Sequence, residues 1–279
     1  MNTKRFFQGK SVLITGASSG IGRELALQLA AAGALLTISA RRTALLETLA
    51  DEVLGLGAVR PVVCTCDVTQ SGDLERAVAS AVSAFSKLDV VFADAGFGVV
   101  GFFKDLELTD YRRQFETNVF GVLRTLKACQ AELARQRGNI VMIGSVAGYC
   151  ATPGNSPYSM SKFAMRALAL SVGPELAQTG IHLTHVCLGF IATNIRRVDN
   201  SGRFHAKAAD PMPRWLVVDT NRACRKIMRA AAARRPEVII TAHGKLLVAI
   251  ERFAPWILRA LGRRMARRGR GHRPEPKES

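Results

Sequence analysis

Short apolar runs alternate with longer amphipathic stretches over the first two thirds of the chain. The runs at 11–15, 35–40, 60–66, 89–93, 139–144 and 181–188 have the length and apolar density of strands buried on both faces, and a seventh is predicted at 237–241. Between them, 21–32, 43–54, 74–85, 111–135 and 158–178 are rich in Ala and Leu at helical spacing, and 222–235 reads as a basic helix. Repeated strand, helix, strand units predict an α/β fold: a single doubly wound, Rossmann-like parallel sheet of about seven strands, covered by helices on both faces. The segment 196–215, with Gly202, Pro211 and Pro213, has no clear period and reads as the loop of a lid spanning 190–216.

After His243 the pattern changes. Leu246, Ile250, Phe253, Ile257, Leu261 and Met265 recur every three or four residues, with Arg252, Arg259, Arg263 and Arg267 elsewhere around the helix. Pro255 is predicted to divide it in two. The chain therefore divides into a folded domain over 1–242, a basic amphipathic helical tail over 243–268, and a disordered end over 269–279, where Gly, His, Pro, Glu and Lys predominate. Glu251, Arg252 and Arg259 interrupt the apolar positions too often for a transmembrane span. Two readings of the tail stay open: a helix lying in an anionic membrane surface with Phe253 and Trp256 entering the acyl boundary, or an apolar face packed on the domain or a second copy.

Composition narrows the function classes. With 279 residues, 48% hydrophobic and 22% charged, the chain can bury one sizeable core. Lys and Arg outnumber Asp and Glu by 39 to 22, a formal charge of +17 that asks for an anionic partner such as phosphate, acidic lipid or nucleic acid. From Gly244 onward ten basic residues face three acidic ones, so the tail holds +7 of that charge. Aromatic content is only 6% and no nucleic-acid motif is present, so no nucleic-acid partner is expected. The six cysteines, at 64, 66, 129, 150, 187 and 224, show no paired metal spacing; they read as free thiols, and no metal is expected. Lys4, Arg5, Phe6 and Phe7 precede Lys10 and the first strand, leaving no room for an apolar signal segment, which points to a reducing, cytoplasmic setting. On the membrane reading of the tail, the protein is peripheral at the cytoplasmic face.

The candidate chemistry begins at Thr15-Gly16-Ala17-Ser18-Ser19-Gly20-Ile21-Gly22, where a strand runs into a helix. Glycines there let backbone approach a pyrophosphate, and the helix N-terminus offers N–H groups to it. The second strand ends in Ala40-Arg41-Arg42, two guanidinium groups where a carboxylate would select a free ribose 2′-hydroxyl; arginines there favour a 2′-phosphate and hence NADP(H). Tyr158 and Lys162 lie four apart on one helical face. A free tyrosine has a pKa of about 10, and a neighbouring cation lowers it by favouring phenolate. Ser145 ends the preceding strand, and Asn118 sits mid-helix, where an amide is not favoured.

Taken together, these residues resemble the short-chain dehydrogenase/reductase family in its shorter, non-extended branch, whose pattern is TGxxxGIG, an Asn in a long helix, and Ser followed by YxxxK. The likeness covers roughly Lys10 to Thr241. It implies Tyr158 as the acid or base at the substrate oxygen, Lys162 lowering its pKa and holding the nicotinamide ribose, Ser145 orienting the carbonyl, and Asn118 anchoring a water in the proton path. It also implies cofactor contacts from Gly16, Ser18, Ser19, Gly20, Ile21 and Gly22, from Asp67 and Val68 at the adenine, from Ala95 and Gly96, and from Gly189, Ile191 and Thr193 beside the nicotinamide. A homodimer or homotetramer through the two long helices is implied as well.

Two positions depart from the family pattern. Asp94 stands where the family has the second Asn of NNAG, which removes an amide donor; it is expected to lower stability or need a donor partner. Leu188 replaces the Pro of PGxVxT, which is expected to loosen the chain entering the lid. The resulting expectation is an NADP(H)-dependent oxidoreductase moving hydride between nicotinamide and a carbonyl or secondary alcohol. The lid residues Phe204, Met212, Trp215 and Leu216 favour a lipophilic ketone or aldehyde. The alternative is a non-catalytic NADP(H) sensor or interaction protein docking through its basic tail.

Overall fold

The structure, a computed structural model, describes residues 2–193, 195, 199–200 and 212–269. Most of the predicted lid, with Phe204, and the predicted disordered end past 269 lie outside the described residues. Seven strands, β1 (Ser11–Thr15), β2 (Leu35–Ala40), β3 (Val62–Thr65), β4 (Val90–Ala93), β5 (Asn139–Ser145), β6 (His182–Leu188) and β7 (Glu237–Ile239), form one parallel sheet in the order β3-β2-β1-β4-β5-β6-β7. The doubly wound reading holds.

Alternate residues of each central strand point to opposite faces, so a fully apolar run feeds two cores at once. Val12 and Ile14 of β1, Val90 and Phe92 of β4, and Val141 and Ile143 of β5 enter one core. It is closed by Leu25 and Leu29 of α2 (Gly20–Ala31), Leu46 and Leu49 of α3 (Thr43–Gly55), and Ile227 of α8 (Thr220–Ala232). Leu13, Val91, Ile140 and Met142 enter the other, against Ala77 and Ala81 of α4 (Asp73–Phe85), Leu126 and Cys129 of α6 (Gly121–Gln136), and Met165 and Ala169 of α7 (Ser156–Gln178). A short helix α1 (Thr3–Phe7), which periodicity does not reveal, is capped by Asn2 and buries Phe7 6.3 Å from the ring of Phe92.

The stretch predicted as one helix over 111–135 is interrupted. Helix α5 (Leu108–Phe115) passes into a π-helical turn, Glu116–Phe120, before α6 begins. Such a turn carries an extra residue and re-aims its side chains; here Asn118 is 1% exposed. Pro255 divides the tail into α9 (Ala242–Phe253) and α10 (Pro255–Gly269), Thr241 capping the first by accepting the Gly244 N–H at 3.2 Å. No helix among the described residues is long and apolar enough to cross a membrane. All six cysteines are free thiols. The strand order reverses between β1 and β4, so a crevice opens at their C-terminal ends, where parallel sheets bind ligands.

Candidate active site

The glycine turn after β1 is built for close approach. Gly16 has φ +76°, and a Cβ there would lie 2.8 Å from Ala95 Cα; a Cβ on Gly22 would lie 2.7 Å from Gly16 O. Ala95 N–H donates to Thr15 Oγ1 at 3.3 Å, stitching the ends of β1 and β4 together. Ser19, the residue before α2, makes no side-chain cap bond, so it does not occupy the helix's first N–H groups. The turn is therefore a cradle whose donors suit an anion.

Of the two arginines after β2, Arg42 is the one tied to this cradle. Its Nη2–H donates to Ser18 Oγ and Ser19 Oγ, both at 2.9 Å, and its Nε–H to Ser18 Oγ at 3.3 Å. Arg41 is exposed beside it. Asp67 holds its own loop: its carboxylate accepts the Thr69 N–H at 2.9 Å and the Thr69 hydroxyl at 2.8 Å, and its N–H donates to Asp73 Oδ2 at 2.8 Å. Val68 is buried against the start of α6, where a Cβ on Gly121 would lie 2.6 Å from it.

Asp94 finds the donor it was expected to need in the backbone N–H of Gly22. Burial pushes its carboxyl up to about 8, against the pull of Lys162 and of that amide. Burial thus favours the acid form, which carries an O–H of its own. The donor lost with the family's Asn is thus partly restored. Burial also lowers Lys162 to about 8, with Asp94 opposing.

At the end of β5, Ser145 Oγ accepts the Ala147 N–H at 3.1 Å, which leaves its own proton for donation. Tyr158 and Lys162 rise from the first turns of α7, with Lys162 Nζ 5.6 Å from the Tyr158 ring centroid. Lys162 is 8% exposed and donates to Ile143 O at 3.2 Å. Asn118 accepts the Phe97 N–H at 3.1 Å and donates to Phe97 O at 3.0 Å and to Ser161 Oγ at 3.3 Å; Ser161 in turn donates to Tyr158 O at 2.7 Å. Gln114, one turn earlier and fully buried, accepts the Val99 N–H at 2.6 Å and donates to Phe97 O at 2.9 Å. Sequence reasoning missed Gln114, although its four-residue spacing from Asn118 was the available signal.

The expected loosening after Leu188 is offset by the tail. Phe190 N–H donates to His243 Nε2 at 2.9 Å, and Phe190 O accepts the Val218 N–H at 2.9 Å. Gly189 has no room for a side chain, because a Cβ would collide with His243 and Thr241. His243 carried no signal in the sequence beyond opening the tail.

Ser145, Tyr158, Lys162, Gly96, Gly189 and Thr193 all line one cavity of about 470 Å³. Arg42 and Asn118 do not line it. Its remaining walls are largely apolar, and the tail supplies one of them: Leu247 of α9 and Leu258, Leu261, Gly262 and Met265 of α10. One face of the tail therefore packs on its own domain. Behind β6, His185, Cys187 and Glu237 bring three possible ligand atoms within 4.8 Å of one another. Arg166 Nε lies 3.2 Å from the same Glu237 oxygen that meets His185 Nδ1 at 3.2 Å, so a cation is already seated there as a guanidinium.

The comparisons agree with this architecture. A family model described as short chain dehydrogenase matches residues 10–203. The chain is 35% identical over 188 residues to an 11-beta-hydroxysteroid dehydrogenase 1A of Arabidopsis thaliana, covering 67% of this chain and 54%, about half, of that relative. The solved alcohol dehydrogenase of Thermococcus sibiricus, complexed with 5-hydroxy-NADP, superposes with a TM-score of 0.70 at 25% identity, over 82% of this chain and 95% of that one. A Burkholderia phymatum short chain dehydrogenase/reductase in complex with NAD gives 0.79 at 21% identity over 98% and 99%, a likeness of fold alone. A match over more than two thirds of the sequence, on this sheet and this glycine turn, means that the chain belongs to the short-chain dehydrogenase family.

Proposed function

We propose that the chain is an NADP(H)-dependent oxidoreductase that reduces a lipophilic ketone or aldehyde to the alcohol, the reverse reaction using the same groups. The observation that carries this reading is the convergence of Ser145, Tyr158 and Lys162 on one cavity whose other walls are apolar. The cradle at Gly16, Gly20 and Gly22 fits a pyrophosphate, and the fork of Arg42 over Ser18 and Ser19 fits a 2′-phosphate. Bound there, the nicotinamide supplies the hydride.

The chain's own residues handle the oxygen. Ser145 donates its free hydroxyl proton to the carbonyl and fixes its direction. Tyr158 delivers a proton as charge develops on that oxygen, and the Lys162 ammonium beside the ring stabilises the phenolate left behind. Asn118 positions Tyr158 through Ser161 and braces Phe97 at the cleft edge. The apolar walls, including those from α10, select a lipophilic substrate.

The exposed Phe120, Met160, Phe163 and Leu170 near and along the long helices support a homodimer or homotetramer formed there. Light scattering on Leu170→Glu checks it, with dissociation expected.

Turnover is tested by following NADPH oxidation against ketones and aldehydes graded from small and polar to polycyclic. Rates rising with lipophilicity, together with Tyr158→Phe that binds NADPH and does not turn over, are expected. Full activity in Tyr158→Phe overturns the reading.

A further inference from the structure

We propose that α9 and α10 dock on an anionic lipid bilayer and hold the mouth of the cavity against it, so that substrate enters from the lipid. The proposal rests on the reading of a lipophilic carbonyl substrate and adds the partner and the route.

Three observations meet at this surface. Ile257, Leu261 and Met265 stand at i, i+4 and i+8 of α10 and are 47%, 51% and 43% exposed, an apolar ridge along one side of the helix. Leu261 and Met265 also line the cavity, so this ridge is its rim: the same side chains touch solvent and substrate space. At the junction of the two helices, Phe253 and Trp256 are 73% and 64% exposed and do not line this cavity.

Charge selects the occupant. From Arg252 to Pro274 the sequence has no acidic residue. On α10 the exposed Arg264, three residues after Leu261, borders the ridge, Arg252 is exposed beside Phe253 at the junction, and the exposed Arg259, Arg263 and Arg267 run along the far side of the helix. Aromatic and aliphatic side chains bordered by guanidinium groups suit an interface in which rings enter the acyl boundary and cations meet phosphate headgroups. A second copy of the chain would bring the same cations face to face, since a twofold pairing sets the patch against itself. No helix among the described residues is long and apolar enough to cross a membrane, and the proposed contact is at the bilayer surface.

The test uses the full chain with Trp215→Phe, which leaves Trp256 as its only tryptophan. Vesicles of phosphatidylglycerol and phosphatidylcholine are expected to sediment the protein and shift Trp256 emission to the blue. Pure phosphatidylcholine should bind at least about tenfold more weakly. In the otherwise native chain, Phe253→Ser with Trp256→Ser should abolish sedimentation. That variant should reduce a vesicle-dissolved ketone at least about tenfold more slowly than the native chain while keeping its rate on a small water-soluble ketone.

Equal binding to neutral vesicles, anionic binding without a blue shift, or a blue shift produced by protein concentration alone each overturns the docking surface; the last marks a second copy as the occupant. Equal slowing on both ketones overturns the entry route. Absence of turnover on either ketone in the native chain strikes the reductase reading alone, and insertion of Trp256 then still decides the docking.

Discussion

The backbone N–H of Phe190 donates to His243 Nε2 at 2.9 Å, and the two rings stack with centroids 5.4 Å apart. A residue from the tail thereby fixes the chain that leaves β6 through Gly189. The bond needs a neutral imidazole, and burial lowers His243 below its ordinary value, which keeps the acceptor available at neutral pH. Because the folded state releases this proton more readily than the unfolded chain, the contribution is complete at neutral pH and is lost as pH falls through the depressed value. His243→Phe keeps a ring and removes the acceptor. It should lower stability by about 1–3 kcal/mol and raise KM for NADPH at pH 7.5, read by thermal melts and initial rates. His243→Gln, whose amide oxygen can accept, should recover most of the loss and flatten the acid limb of the KM profile.

Arg42 is expected to set cofactor choice. Arg42→Ala removes the fork above Ser18 and Ser19 and should raise KM for NADPH by about 10–100-fold, the scale of one charge-assisted pair, with little change for NADH. Arg41→Ala should act more weakly, because the bonds to Ser18 and Ser19 that form the fork come from Arg42. An unchanged ratio of NADPH to NADH efficiency in Arg42→Ala removes the 2′-phosphate assignment.

Legibility in the sequence followed the range of the interactions involved. The strands were readable because each central one alternates residues such as Val12, Leu13 and Ile14 between two buried faces, giving unbroken apolar runs between turns. The glycine turn and the Tyr158–Lys162 pair were readable because their geometry is local, one a turn and the other one helical step. The π-turn at Glu116–Phe120 was not, because it widens a helix without changing the period of its flanks. Nor was the pairing of His243 with Phe190, 53 residues apart, since periodicity tells which face is apolar and not which backbone group it meets. The tail's apolar stripe left open what covers it; Leu261 and Met265 now place part of it on the cavity.

Asp94 should make the protein less stable as pH rises. Its folded pKa is raised to about 8 from the ordinary carboxylate value, so between those values the folded state holds a proton that the unfolded chain has lost. Stability is therefore highest below the unfolded value and falls as pH climbs toward 8. Asp94→Asn keeps the shape, removes the titration and restores amide donors. It should stabilise by about 1–3 kcal/mol at pH 8 and by much less at pH 4.5, seen in denaturant midpoints at the two pH values. Equal gains at both would separate the effect from ionisation.

Gly262 tests whether the tail shapes the substrate cavity. It lies within α10, and a Cβ there would meet Pro153 at 3.7 Å, an ordinary contact. Gly262→Ala should thus be tolerated, and the better helix propensity of Ala should stabilise α10 by up to about 1 kcal/mol. Gly262→Leu projects three further carbons into the space lined by Leu258, Leu261 and Met265. Loss of room selects by size: kcat/KM for polycyclic ketones should fall by about 10–100-fold while that for small ketones stays within a few-fold, because one or two lost apolar contacts are worth about 1–3 kcal/mol. Parallel losses on small and large ketones would instead mean that the substitution unseats the helix. Melting of the Leu variant below the Ala variant would report that second case independently of activity.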